Sequence, residues 1–178
     1  MITTKRLTIR PIEENDWIAI KEIWDNFKNT EFVIYDNDKD TSPESLQPRI
    51  VKWAEATRKG NGHMFFATCL KGETIGFTSM NIVAPSEYEI GYGYTSKSQG
   101  HGFAKEALTA ILDGMKEFGV TKIHAGTALK NTPSVALLKS LGFELTSTEQ
   151  ISFFKDDAGN DIYFEGGNFT KNLALESK

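Results

Sequence analysis

Three apolar runs in close succession, at residues 64–70, 74–81 and 87–95, constrain this chain more than any other feature. Each is rich in aromatic and β-branched residues. Lys71-Gly72-Glu73 and Ala84-Pro85-Ser86 separate them as turns, so the spacing predicts three consecutive antiparallel strands. Helical periods flank them. Asn15-Asp16 opens a helix with Trp17, Ile20, Ile23, Trp24 and Phe27 on one side, and a second helix about residues 45–59 carries Leu46, Ile50, Trp53 and Ala54. A third, about 102–118, spaces Ala104, Ala107, Leu108, Ile111, Met115 and Phe118 at helical intervals.

The rest falls into place around these. Leu7, Ile9 and Pro11 alternate with Arg6, Thr8 and Arg10 as a first strand that ends at the proline. Residues 31–44, with little periodicity, read as a loop or a loop plus a short helical turn. Residues 122–127 return as a strand. Residues 134–141 make a short helix stopped by Gly142, with Phe143 placed to close its C-terminal cap. Strands about 144–154 and 162–169 follow, joined by a turn at 156–160. This order predicts a mixed α+β layer, not an all-parallel sheet.

At 178 residues the chain suits one domain with a sizeable core, spanning 1–178. Hydrophobic residues at 39% and charged ones at 25% fit a soluble globular protein. A net charge of -4 argues against nucleic acid as a partner, because that binding relies on clustered Lys and Arg. Cys69 is the single cysteine, so a disulfide framework and a Cys-rich zinc site are excluded; it reads as a small buried hydrophobe. His63, His101 and His124 have no ligand-like spacing, and no metal is expected. The N-terminus lacks a signal-peptide core and no apolar stretch is long enough to span a membrane, which predicts a cytoplasmic location without membrane contact. Asn168-Phe169-Thr170 fits a glycosylation sequon but carries no weight without a secretory signal.

The chemistry sits in Gln99-Gly100-His101-Gly102-Phe103-Ala104, between a strand and a long helix. Two glycines remove Cβ atoms where the backbone folds tightly and approaches a ligand. The helix start behind them offers unpaired N–H groups and a positive dipole end, suited to a phosphate or pyrophosphate. Alone, such a loop is equally a plain turn. A dinucleotide fingerprint is excluded because Lys105 stands where its third small residue belongs, and a triphosphate loop because no Gly-Lys-Ser/Thr ending occurs.

Gln99-x-x-Gly102-x-Ala104 resembles the Q/R-x-x-G-x-G/A signature of the GNAT acetyltransferase superfamily. Its flanks, Glu89-Ile-Gly-Tyr-Gly-Tyr94 and Gly102-Phe-Ala-Lys-Glu-Ala107-Leu108, are similar to those of the ribosomal-protein N-acetyltransferase branch. So are Asn131-x-x-Ser134-x-x-Leu137-Leu138-x-x-Leu141-Gly142-Phe143 and the opening Thr4-Lys-Arg-Leu7-Thr-Ile-Arg10-Pro11. These pieces cover about residues 3–145 in the family's order.

The resemblance implies a GNAT-like mixed, mostly antiparallel sheet, flanked by helices and splayed after the fourth predicted strand, with acetyl-CoA as cosubstrate lying in the gap. Tyr92, Gly93 and Tyr94 would bond the pantetheine amides through their backbone. Gln99, Gly100, His101, Gly102, Phe103 and Ala104 would bind the pyrophosphate, and Asn131 and Ser134 would sit near the thioester. His101 itself reads as a solvated side chain, and Lys105 as a charge that either reaches phosphate or does not.

An amine acceptor would then attack the thioester directly, which needs a base, an oxyanion donor and an acid for the thiolate. An alkyl ammonium has pKa about 10.4, so the base must expose a neutral amine. Backbone N–H near Tyr94 is the expected oxyanion donor. The family often places a tyrosine acid four residues after the Ser134 position; here Leu138 stands there, so Ser134 is the substitute, although it also suits a helix N-cap. Glu89 is the candidate base, provided a bulge or a water relay brings it round the strand; Glu87, or no dedicated base, remains open. The mouth would come from the segment 28–44, with Phe32, Tyr35, Asp36 and Asp38, and from the hairpin 154–164. The acceptor is a protein N-terminal amine by the branch resemblance, or else a polyamine, an aminoglycoside or an amino-acid derivative; a non-catalytic acyl-CoA sensor is the competing class. Such domains often pair, and the strand about 162–169 could supply an edge for a homodimer, although nothing in the spacing demands one.

Overall fold

In a computed structural model, residues 1–173 are described. One eight-stranded sheet runs in the order β1-β2-β3-β4-β5-β6-β8-β7. Its strands are β1 (Ile2–Thr3), β2 (Leu7–Pro11), β3 (His63–Leu70), β4 (Glu73–Ala84), β5 (Glu87–Tyr94), β6 (Lys122–Ala128), β7 (Glu144–Lys155) and β8 (Asp161–Asn172). The helices are α1 (Trp17–Lys28), α2 (Pro43–Lys59), α3 (Phe103–Glu117) and α4 (Thr132–Ser140). Every neighbouring pair is antiparallel except β5 with β6. The two-residue strand β1 was not expected from the sequence; too short to show a period, it is held by pairing with β2 at Ile2–Ile9.

Alternation along the strands divides the core between two faces. On one, α3 and α4 bring Leu108, Ile111 and Leu138 down onto Ile9, Ile90 and Ile123. On the other, α1 and α2 cover Phe65 and Phe77 with Ile20, Ile23, Trp24 and Ile50. Burying these side chains contributes roughly 1.5–3 kcal/mol each, which holds both helical layers against the sheet. Helix α2 opens on Pro43 and stops at Gly60, whose φ of 66° only glycine adopts without strain.

The sheet opens between β5 and β6. These strands pair only at Glu87–Lys122, Tyr88–Ile123 and Glu89–His124. Beyond that point β5 keeps its ladder with β4 as far as Tyr94, and β6 keeps its ladder with β8 as far as Ala128. Each strand therefore follows its other partner, and the space between fills with Tyr92 and the start of α4. At the far edge lies β7, with β8 between β6 and β7. β8 pairs with β7 along residues 161–170 and with β6 only along 166–172, so of the strand expected at 162–169 the part from 166 on is enclosed on both sides, and the last strand of the sheet is β7.

Candidate active site

Two clefts meet at the splay. One, of about 420 Å³, runs from α1 past Tyr92, Gly93 and Tyr94 to the loop Gln99–Ala104. The other, of about 580 Å³, lies over the α1/α2 face and reaches across to β7 and β8. Phe27, Tyr92, Asn131 and Ser134 line both, so they form the junction.

The first cleft runs along a strand edge at one end and reaches a helix start at the other. Thr95 N–H donates to Ile75 on β4 at 2.9 Å. Because hydrogen-bonding direction alternates, the N–H and C=O groups of Tyr92 and Tyr94 turn away from β4 into the gap, where the Tyr94 carbonyl accepts from Gln99 Nε2 at 3.3 Å. Gly93 turns the other way. Its backbone groups face β4, so it makes no amide contact of its own; a Cβ there would lie 2.7 Å from Phe77 Cε1 and 3.0 Å from Ile23 Cγ2. Its contribution is the missing side chain.

At the other end, Gly100 and Gly102 take φ of 77° and 76° and wrap the loop onto the start of α3. The backbone N–H groups of residues 100–105 donate to no acceptor among the described residues. With the helix dipole behind them they make an anion cradle. His101 does not line the cleft: its ring stacks on Phe103 at 5.6 Å, and its Nδ1 lies 2.7 Å from the Gln99 carbonyl. Its own carbonyl accepts from Arg6 Nη1 at 3.0 Å.

That Arg6 contact belongs to a clamp that sequence reading missed. Arg6 Nε donates to Glu106 Oε2 at 2.6 Å, Arg6 N–H to Glu106 Oε1 at 2.9 Å, and Thr4 Oγ1 to the same oxygen at 2.6 Å. The guanidinium also lies 4.5 Å over the Phe103 ring. The Thr4 hydroxyl, with Arg6 beside it, holds the Glu106 carboxyl below its usual range. The only sequence signal was that Thr4 and Arg6 lie inside a matching opening segment.

At the junction, Tyr92 Oη and Ser134 Oγ are hydrogen-bonded at 2.9 Å. Burial pushes the Tyr92 phenol above its usual value, so it stays neutral at physiological pH. Tyr94 differs: its hydroxyl turns into the core to Thr68 Oγ1 at 3.3 Å, and burial pushes it up to about 12. Ser134 is not the N-cap of α4. Asn131 caps the helix, accepting the Ser134 N–H at 3.4 Å, which leaves the Ser134 hydroxyl for Tyr92 and the clefts. Leu138 is fully buried in the core and faces neither cleft.

Glu89 lines the second cleft, on the face opposite Tyr92 and Tyr94. The β4–β5 register is regular from Tyr88 to Tyr94, so no bulge swings Glu89 round to the face of Tyr92 and Tyr94. Glu87 is spoken for: it accepts from His124 Nε2 at 2.8 Å and Lys122 Nζ at 3.2 Å, which lower its pKa, and it lines neither cleft. The segment 28–44 divides. Tyr35 and Asp36 line the second cleft and Phe32 the first, whereas Asp38 pairs with Lys28 at 3.1 Å outside both. From the hairpin 154–164 only Phe164 takes part. Arg49, Trp53 and Glu149, none of them marked as site residues by any motif, complete the chamber. No helix among the described residues is long and apolar enough to cross a membrane.

Comparison with known proteins fits this geometry. The family model of the acetyltransferase (GNAT) domain matches residues 6–144. An uncharacterised N-acetyltransferase of Bacillus subtilis, YnaD, is 31% identical over 146 residues, covering 79% of this chain and 81% of that protein. Among solved structures, ribosomal-protein-S5-alanine acetyltransferase from Vibrio fischeri superposes with a TM-score of 0.78 at 19% identity, covering 96% of this chain and 95% of its own. RimL, a ribosomal L7/L12 alpha-N-protein acetyltransferase in complex with coenzyme A, gives 0.78 at 16% identity, with 97% of each chain covered. At those identities the likeness establishes the fold.

Proposed function

The chain belongs to the GNAT acetyltransferase family and is an N-acetyltransferase of that type, and from this premise we propose that it moves the acetyl group of acetyl-CoA directly to a primary amine at the Tyr92–Ser134 junction. The carrying observation is that the two clefts share that junction: one has a free strand edge and an anion cradle, and the other leads in from α2 and β7.

In this reading the N–H groups of residues 100–105 hold the pyrophosphate, and the gap-facing backbone of Tyr92 and Tyr94 bonds the pantetheine amides as an added strand would. A backbone N–H of the same opened edge donates to the carbonyl oxygen as it gains charge. Glu89, through water, takes the ammonium proton before the amine nitrogen forms its bond to the carbonyl carbon. As the carbon–sulfur bond breaks, its electron pair stays on sulfur and Ser134 gives that sulfur a proton, recovering one from the attacking nitrogen, which loses its second proton as it becomes an amide nitrogen. Tyr92, kept neutral by burial, orients Ser134 by donating to its oxygen. The alpha-amine of ribosomal protein L7/L12 is the acceptor named for RimL, which shares the fold, and this supports a peptide-like amine here.

The test of direct transfer is the intact mass of the protein after incubation with acetyl-CoA alone, then with an amine. The expected result is unmodified protein throughout and an N-acetylated amine. Acetyl accumulating on Ser134 or Cys69 would overturn direct attack.

A further inference from the structure

The acceptor chamber carries a charge that acetyl transfer does not require. Its wall combines the carboxylates Asp36, Glu89 and Glu149 with the cations Lys39 and Arg49. Lys39 is matched already: it forms an ion pair with Asp36, and its ammonium lies 5.5 Å from the Trp24 ring centre. Arg49 is not. Half-buried on α2, one turn before Trp53, it makes no ion pair and no side-chain hydrogen bond with any described residue. Removing a guanidinium from water without a partner is costly, and its planar fork of donors matches a carboxylate in bidentate fashion. The apolar part of the same wall is aromatic, with Trp53 stacked on Phe65 at 3.9 Å and Phe77 5.5 Å from Phe65.

We propose that the acceptor is a zwitterion: it gives a carboxylate to Arg49 while its amine faces the junction. This rests on the acetyl-transfer reading above and narrows it. Two sources share the chemistry, the α-carboxylate of a free amino acid and an acidic side chain next to a peptide N-terminus. A polyamine fits poorly, because its second ammonium would meet Arg49 at short range.

The test compares free L-amino acids with their primary amides, and peptide amides bearing Glu or Gln at the second position, as acceptors for acetyl-CoA. An amide's amine is the less basic, so more of it is free at neutral pH, and a preference for the carboxylate must come from the protein. The carboxylate form is expected to lead its amide by 10-fold or more in kcat/KM, and Arg49→Gln to bring that ratio towards one, with Arg49→Lys intermediate. Whichever pair carries the effect identifies the source. Calorimetry of the same compounds on the CoA-loaded protein separates the two readings. Carboxylate-dependent binding lost in Arg49→Gln, without any thiol release, would retain this site and sink acetyl transfer. Equal kcat/KM for acid and amide, spermidine as the best acceptor, or a preference unchanged in Arg49→Gln would overturn it.

Discussion

The hydroxyl of Tyr92 lies 2.9 Å from that of Ser134, one carried by the central strand and the other by the helix across the splay. This contact ties the two walls of the gap together at the point where both clefts open. A serine hydroxyl is a weak acid, so its usefulness to a departing thiolate depends on where its proton points. A donor on its oxygen settles that. Ser134→Ala is expected to lower kcat roughly 100-fold, within the range for a general acid. Tyr92→Phe, which removes the orienting donor alone, is expected to lower kcat about 10-fold. In both, kcat falls more than KM for acetyl-CoA rises. Steady-state kinetics checks this, and a change confined to KM would assign the pair to binding alone.

The clamp of Arg6 on Glu106 and on the His101 carbonyl positions the loop rather than touching the ligand. Arg6→Ala is expected to raise the Kd for coenzyme A roughly 10-fold, the loss of about one charge-assisted hydrogen bond's worth of ordering. Calorimetric titration with coenzyme A is the measurement. Because Glu106 is held below its usual pKa, this ordering is complete above the ordinary carboxylate range and fades as pH falls through the lowered value.

Gly102 enters α3 at φ 76° with its would-be Cβ no closer than 3.6 Å to Arg6 Nη2. Space is therefore available and only the backbone objects. Gly102→Ala should cost about 1 kcal/mol, a fall in Tm of roughly 2–4 °C for a chain of this size. Calorimetric melting measures it, and an unchanged Tm would mean that the loop relaxes to another conformation.

Far from the site, Asp16 is 6% exposed and receives Arg10 Nη1 at 2.7 Å, Thr74 Oγ1 at 2.7 Å and the Glu13 N–H at 2.7 Å. Burial alone would raise its pKa, but the Arg10, Glu13 and Thr74 hydrogen bonds outweigh that and hold it below the usual value. A depressed folded pKa gives stability that is present above the unfolded value, near 3.9, and is lost as pH falls through the folded one. Asp16→Asn should cost about 3 kcal/mol at neutral pH and flatten the acid limb of the stability curve. Urea unfolding at neutral and acid pH tests both.

The sequence read well wherever local pattern decides structure. The meander from residue 64 to 95 and the long helix carry strong local signals, and their boundaries differ from the structure by a few residues. The splay was expected only through resemblance, because it depends on β5 and β6 parting after Glu89 and His124, a long-range event with no local mark. The direction of Gly93's backbone and the capping role of Asn131 needed the hydrogen-bond register itself. Arg49, Trp53 and Glu149 come from α2 and β7, elements that look like ordinary scaffold in sequence; only their convergence over β5 makes a chamber.

The most direct test of the central claim is release of the CoA thiol from acetyl-CoA by the purified protein, followed as amines are added one class at a time. Thiol release that requires an amine, matches the N-acetylated product in amount and slows roughly 100-fold in Ser134→Ala is the predicted result. Tight binding of acetyl-CoA with no thiol release from any amine would contradict it and make the chain an acyl-CoA sensor.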